Sequence, residues 1–94
     1  MALGPSPTGN ATALDITAAT VIKAASGAVL TVAVVTGGST AGAVYDGLAT
    51  TGNTVANQIG TLPNTVGSYA INFPCINGIV VIPGTGQVVA VAYN

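Results

Sequence analysis

The sequence contains almost no charge. Its 94 residues carry one lysine and two aspartates, Lys23, Asp15 and Asp46, and they lack histidine, arginine, glutamate and tryptophan. An average globular chain has about a quarter of its residues charged. One lysine cannot neutralise a row of phosphates, so the composition argues against nucleic-acid binding. Because histidine and glutamate supply most general bases and many metal ligands, we expect no enzyme, no cofactor and no metal site.

A single cysteine, Cys75, excludes a disulfide framework within the chain. It has apolar neighbours and no histidine to act as its base, so we expect a buried, unreactive thiol. No apolar run approaches the roughly 20 residues of a membrane-spanning helix. The start of the chain has neither the basic nor the apolar region of a signal peptide. We therefore expect that the protein makes no contact with a membrane. We also expect that it is assembled in a cytoplasm.

Valine, isoleucine and threonine are abundant and together make 33 residues. Their β-branched side chains lose rotamer freedom in helices and pack well on sheets. With 13 glycines and 5 prolines available for turns, the composition predicts an all-β fold. We expect a small antiparallel β-sandwich or barrel of about seven or eight strands. Residues 1–18 are expected to form an extended N-terminal arm, and residues 19–94 the single domain.

Runs of β-branched residues mark the expected strands. They are 21–24, 29–35, 41–45, 54–62, 68–73, 79–82 and 87–93, of which 54–62 is open between a strand and a helical turn. Residues 29–35 and 41–45 are expected to pair as a hairpin, and Asn77-Gly78 has the composition of a type I′ hairpin turn. The valines expected in the core are Val32, Val34, Val80, Val89 and Val91.

The strongest strands do not alternate between apolar and polar residues. VLTVAVV, IVVI and VVAVAY are apolar at nearly every position, whereas a sheet with one wet face alternates. No helix is expected that would cover the outer side of the sheets. We infer that this surface is an interface with other proteins. The alternative is a monomer kept in solution by threonine, serine and asparagine.

Few residues remain as candidates for chemistry. Lys23 is expected to form a surface ion pair with Asp15 or Asp46, and an isopeptide crosslink from Lys23 to an asparagine is the alternative. The PGTG stretch lacks the lysine and the helix that a phosphate loop requires. We therefore expect Gly84 and Gly86 to supply positive φ angles in a turn.

Four stretches of the chain together resemble a known class of protein. They are ATVIKAASG (19–27), TGGSTAGAVYD (36–46), ANQIGTLPNTVGSY (56–69) and NGIVVIPGTGQVVAVAY (77–93). In these stretches the chain resembles the small β-rich structural proteins of bacteriophage virions, which are similar in role to capsid decoration or cement proteins. These are strand and turn motifs, and the resemblance brings no catalytic residue with it.

The resemblance implies a location and a set of partners. The protein would lie on the capsid surface of the virion and stabilise the head shell. It would do so through contacts with the major capsid protein and with copies of itself, as a trimer or dimer. Cement proteins commonly use an extended terminal arm, so the implied interface residues are Leu3, Pro5, Pro7, Leu14 and Ile16.

Two other functions remain open. A phage tail, fibre or spike component with a binding role is the alternative within virions. An ice-binding protein with a flat surface of threonine and alanine is less favoured, because the 13 threonines show no regular spacing.

Overall fold

Nine β-strands make up the fold of residues 2–5 and 11–94, the part of the chain that the computed structural model describes. They are Ala2–Pro5 (β1), Ala11–Ile16 (β2), Thr20–Lys23 (β3), Gly27–Thr36 (β4), Gly42–Asp46 (β5), Gln58–Leu62 (β6), Gly67–Cys75 (β7), Ile79–Ile82 (β8) and Val88–Tyr93 (β9). A short 3-10 turn at Val55–Asn57 precedes β6. Within the described ranges, no helix has the length and apolar character needed to cross a bilayer.

The strands form two antiparallel sheets that pack face to face. The first has the order β1-β2-β9-β4-β7, and the second has the order β3-β8-β5-β6. Most neighbouring strands are distant in the chain, as when β9 pairs with β2 on one side and with β4 on the other. The all-β sandwich expected from the composition is confirmed.

Both expected hairpins are wrong. The strands β4 and β5 lie in different sheets, and so do β7 and β8. The connections between them therefore cross from one layer to the other. Neither Asn77 nor Gly78 has a positive φ, whereas a type I′ turn requires it at both central positions. β-branched residues favour a strand without specifying which strand it pairs with, so the error lay in the pairing.

Side chains from both sheets interlock to form one apolar core. Val32, Val34, Val89 and Val91 are buried there, as the sequence predicted. The expected core residue Val80 is also buried, with 0% of its surface exposed. Its neighbours Ile79 and Val81 belong to the main core, and successive strand residues point to opposite faces. Val80 therefore points to the outer side of its sheet. There it lies next to Gly47, the first residue of the loop after β5, which helps to bury it.

The N-terminal arm does not extend over residues 1–18 as expected. Residues 11–16 form β2, which lies between β1 and β9, and Ala13 and Ile16 are in the core. These two residues are three apart, a spacing that an unbroken strand cannot direct to one face. A β-bulge between them, in which Asp15 has a φ of 56°, allows both side chains to point into the core. Aspartate adopts this left-handed conformation more readily than most residues.

The side chain of Gln87 joins two distant segments of the chain inside the protein. Only 1% of its surface is exposed. Its Oε1 accepts a hydrogen bond from the Gly84 N–H at 2.7 Å, and its Nε2 donates to the carbonyls of Pro63 at 2.7 Å and Leu62 at 3.3 Å. The amide thereby links the turn before β9 to the end of β6 in the other sheet.

The glycines of this turn have two different roles. Gly86 has a φ of 81°, as expected. Gly84 has no positive φ, and instead lies so close to the Thr40 carbonyl that any Cβ would overlap it. The predicted conformational role is therefore correct for Gly86 and wrong for Gly84.

We predict that Gln87→Ala lowers the free energy of unfolding by about 2–4 kcal/mol. The substitution removes this partner from the partly buried Gly84 N–H and Pro63 carbonyl and from the buried Leu62 carbonyl, and it opens a cavity. Urea denaturation monitored by circular dichroism measures the change.

Gln58→Ala is the matched control. The Gln58 side chain bonds to the Gly60 carbonyl and the Thr61 hydroxyl at only partly buried positions. Its loss should cost less than about 1 kcal/mol. Equal losses for the two variants would contradict the role given to Gln87.

Candidate interaction surface

The outward side of the five-stranded sheet carries two rows of side chains across the strands. In one row, Thr12 faces Ala92, Ala92 faces Thr31, and Thr31 faces Ala70. In the other, Ala90 faces Ala33, and Ala33 faces Ser68. Leu14 lies two residues beyond Thr12 on β2. We call these eight residues the alanine–threonine face.

No residue of the alanine–threonine face is charged, and seven of its eight side chains are small. Leu14 is the exception, and 48% of its surface is exposed. Small side chains leave the sheet surface low, so another flat surface can approach the backbone closely. The nearest charge in the sequence is the exposed Asp15, which follows Leu14 on β2. The face is therefore suited to a neutral, sheet-like partner.

A shallow depression of about 150 Å³ lies within this face. Its lining is formed by Thr12, Leu14, Thr31, Ala33, Ala90, Val91 and Ala92. Three of these lining residues are alanines, and Leu14 is the one leucine among them. The depression can receive an apolar side chain from a partner.

The outward side of the four-stranded sheet is different. Its central row consists of Tyr45, Val80 and Val21. Val80 is fully buried there, and the loop that follows β5 contributes to its cover through Gly47. The centre of this sheet is therefore already packed, whereas the alanine–threonine face is open.

The carboxylate of Asp46 holds the turn between β7 and β8. It accepts hydrogen bonds from the backbone N–H groups of Ile76 at 3.0 Å, Asn77 at 2.8 Å and Gly78 at 3.3 Å. The bond from Ile76 is the largest influence and, with those from Asn77 and Gly78, lowers the pKa of Asp46 against the opposing effect of desolvation. The carboxylate that was one of the two expected partners of Lys23, the other being Asp15, is thus occupied by backbone donors. Asp46 is thus a structural residue.

A set of side-chain amides shapes the loop from Gly47 to Asn57. Asn57 donates to the Asp46 carbonyl at 3.0 Å and to Asn53 Oδ1 at 2.9 Å. This arrangement leaves Leu48 and Val55 exposed. The exposed side chain of Ile76 lies in the neighbouring turn, which Gly47 reaches through its hydrogen bond to the Gly78 carbonyl. One end of the sandwich thus carries a second group of apolar side chains, on loops.

Cys75 lies at the end of β7 and is buried, which confirms the expectation from the sequence. Burial, with a smaller contribution from the Asp46 charge, raises the pKa of its thiol to about 11. The thiol is therefore protonated at neutral pH and shielded from reagents. Over residues 2–5 and 11–94, no group of three or more histidine, cysteine or acidic residues is placed to hold a metal ion.

The expected interface residues have different fates. Leu14 is on the alanine–threonine face, and Leu3 and Pro5 belong to the edge strand β1. Pro7 lies outside the described residues. Ile16 is only 1% exposed and packs in the core, so its assignment to an interface is wrong.

Sequence reasoning did not identify the alanine–threonine face as a unit. A signal was present, since small residues alternate with valines in TVAV and VAVAY. That alternation marks the two sides of β4 and β9. The cross-strand rows depend on which strands pair, and the sequence did not reveal the pairing.

No family model, curated protein or solved structure matches this chain.

We predict that Asp46 makes stability depend on pH in acid. Its folded pKa lies below the ordinary 3.8, so its stabilisation is complete above that value and is lost as the pH falls through 3.8 towards the folded pKa. Asp46→Asn should flatten this dependence. It should also lower the free energy of unfolding at pH 7 by about 0.5–1.5 kcal/mol, because the lost bonds lie at exposed or partly buried positions and asparagine keeps one acceptor oxygen. Urea denaturation at several pH values measures both effects.

Asp15→Asn is the control, because Asp15 is exposed and asparagine tolerates its positive φ. This variant should stay within about 0.5 kcal/mol of the wild type at pH 7. If Asp46→Asn kept the full wild-type loss of stability in acid, the role given to Asp46 would be wrong.

Proposed function

We propose that this chain is a bacteriophage virion structural protein, specifically a capsid decoration or cement protein. It stabilises the head shell through contacts with the major capsid protein and with copies of itself. It is assembled in the host cytoplasm and resides on the capsid surface. The observation that carries the proposal is the open, uncharged alanine–threonine face.

The surface chemistry supports a role in contacts between proteins. A monomer of this size normally covers its exterior with charged side chains. Here the two outward rows on β2, β4 and β9 consist of alanine and threonine with Leu14, and the same strands also expose Val35 and Asp15. When a neighbouring protein covers such a surface, the free energy of the assembly falls. The two candidate groups for a reaction, the Asp46 carboxylate and the Cys75 thiol, both serve the fold. The carboxylate accepts backbone hydrogen bonds, and the thiol is buried.

The edge strand β1 supports a contact with the shell. In the part of the chain that the structure describes, β1 pairs with β2 alone and ends the five-stranded sheet. An edge strand offers backbone N–H and C=O groups for an added strand from another protein. We therefore narrow the shell-binding segment from residues 1–18 to the region of β1, because β2 is an interior strand.

The second candidate is a tail, fibre or spike component with a binding role. The exposed apolar side chains of Leu48, Val55 and Ile76 favour it. They lie on loops at one end of the sandwich, and loops on a rigid scaffold often carry binding sites.

We predict that purified virions of the encoding phage contain this protein in a simple whole-number ratio to the major capsid protein. Shell decoration follows the capsid lattice, so the copy number follows the lattice as well. Quantitative mass spectrometry with isotope-labelled peptides measures the ratio. Immunogold labelling locates the protein on the head or on the tail.

The alternatives give distinct results. A few copies per particle, with label on the tail, would favour the second candidate over decoration. Complete absence from washed particles would exclude both virion roles.

A further inference from the structure

Asn77 and Gly78 belong to the turn between β7 and β8. The side chain of Asn77 is exposed, whereas Gly78 is buried. Asn77 is also the only asparagine in the chain that is followed by glycine. Asparagine is among the chemically labile residues of proteins, because the backbone nitrogen of the next residue can attack its side-chain amide carbon. A glycine in that next position has no Cβ to hinder the attack.

Close packing requires glycine at position 78. A Cβ on Gly78 would lie 2.7 Å from the carbonyl oxygen of Lys23 and would overlap the carbonyl oxygen of Gly47. Both contacts are with backbone atoms, which cannot move aside as the end of a flexible side chain can. The reactive Asn77–Gly78 pair therefore follows in part from the packing of this turn.

Hydrogen bonds hold the Asn77–Gly78 peptide in place. The Asp46 carboxylate accepts from the Asn77 N–H at 2.8 Å and from the Gly78 N–H at 3.3 Å. The Gly78 carbonyl accepts a further bond from the Gly47 N–H at 3.2 Å. The nitrogen that would attack the Asn77 side chain is thus bonded to another group. The negative charge beside it also opposes the loss of its proton, which the attack requires.

We propose that Asn77 is a site of deamidation, and that the hydrogen bonds to Asp46 suppress the reaction until the turn opens. In the open turn, the Gly78 nitrogen loses its proton to a base in the solvent and bonds to Cγ of Asn77. The C–N bond of the side-chain amide breaks, and ammonia leaves. Water then opens the resulting cyclic imide, which leaves either aspartate or isoaspartate at position 77. This modification goes beyond the proposed function and does not depend on it.

Asp46–Gly47 is a second pair in which glycine follows a side chain able to form a cyclic imide. Its carboxylate is held in the ionised form by three backbone donors, and an ionised carboxylate is a poor target for a nucleophile. The Gly47 N–H is also bonded, to the Gly78 carbonyl. Asn77 has an uncharged side chain that forms no hydrogen bond with the described residues, so we expect it to be the more reactive of the two.

Either product would hinder the turn from closing again. Aspartate at position 77 would add a second carboxylate close to Asp46, and one added negative charge would double the formal net charge of −1. Isoaspartate would add a carbon to the main chain next to Gly78, which already packs against the backbone of Gly47 and Lys23. Deamidation thus converts a transient opening of the turn into a lasting one.

Tandem mass spectrometry of peptides from the full chain, incubated in mildly alkaline buffer, measures deamidation at each asparagine. The folded wild type should deamidate at Asn77 more slowly than the same chain in urea, because the turn must open first. The ratio of these two rates should match the hydrogen-exchange protection of the Gly78 amide, since both reactions require that N–H to be released. Asn77→Gln should remove the signal, because the larger ring closes more slowly.

Asp46→Ala should raise the deamidation rate at Asn77 in the folded chain about 10-fold, the factor that corresponds to about 1.4 kcal/mol of lost turn stability. Alanine is chosen because asparagine at position 46 would itself precede Gly47. Asp15→Asn is the matched control, since it removes an exposed carboxylate of β2 and should leave the rate unchanged. Circular dichroism checks that each variant is folded. If Asp46→Ala is not, the comparison with Gly78 amide protection in the wild type decides.

Three results would overturn the proposal. The first is equal deamidation of Asn77 in the folded and the urea-denatured chain, since the turn would then give no protection. The second is an unchanged rate at Asn77 in a folded Asp46→Ala variant. The third is faster deamidation of another asparagine, such as Asn53 or Asn64, than of Asn77 in the denatured chain.

Discussion

The packing of two β-sheets against each other through β-branched side chains is the interaction on which this molecule depends. A sandwich has only two layers, so each strand places about half of its side chains in the core and half outside. In this chain the inward half is mostly valine and isoleucine. With three charged residues available in 94, the outward half must also be built from uncharged residues. The alanine–threonine face is a direct consequence of that constraint.

The few strongly polar side chains are used to hold the connections between layers. Gln87 joins the turn before β9 to the end of β6, and Asp46 fixes the turn that carries the chain from β7 to β8. Both act where the chain crosses from one sheet to the other, and backbone groups there have no strand partner. The outer face of the five-stranded sheet has no comparable task within the monomer, which leaves it available for a partner.

The fold class could be predicted from the sequence because β-branched composition acts locally, strand by strand. The strand at Ile79–Ile82 and the core valines followed from that signal. Strand partners could not be predicted, because Val29 and Tyr93 pair although they lie 64 positions apart, a separation that local propensity does not sense. β2 was not predicted as a strand because its alanines and Asp15 have low strand propensity, and because its course depends on the positive φ of Asp15. Gln87 gave no signal, since its role depends on carbonyls of Leu62 and Pro63 that only the fold brings near.

Backbone amide chemical shifts across a dilution series, recorded by NMR on the uniformly labelled chain, test the central claim most directly. We expect concentration-dependent shifts to concentrate at the alanine–threonine face, in Thr12, Leu14, Thr31, Ala33, Ala90 and Ala92. The amides of β8, in the opposite sheet, should not move. Shifts confined to Leu48, Val55 and Ile76, or no shifts at any concentration, would contradict the claim that the five-stranded sheet presents the working surface.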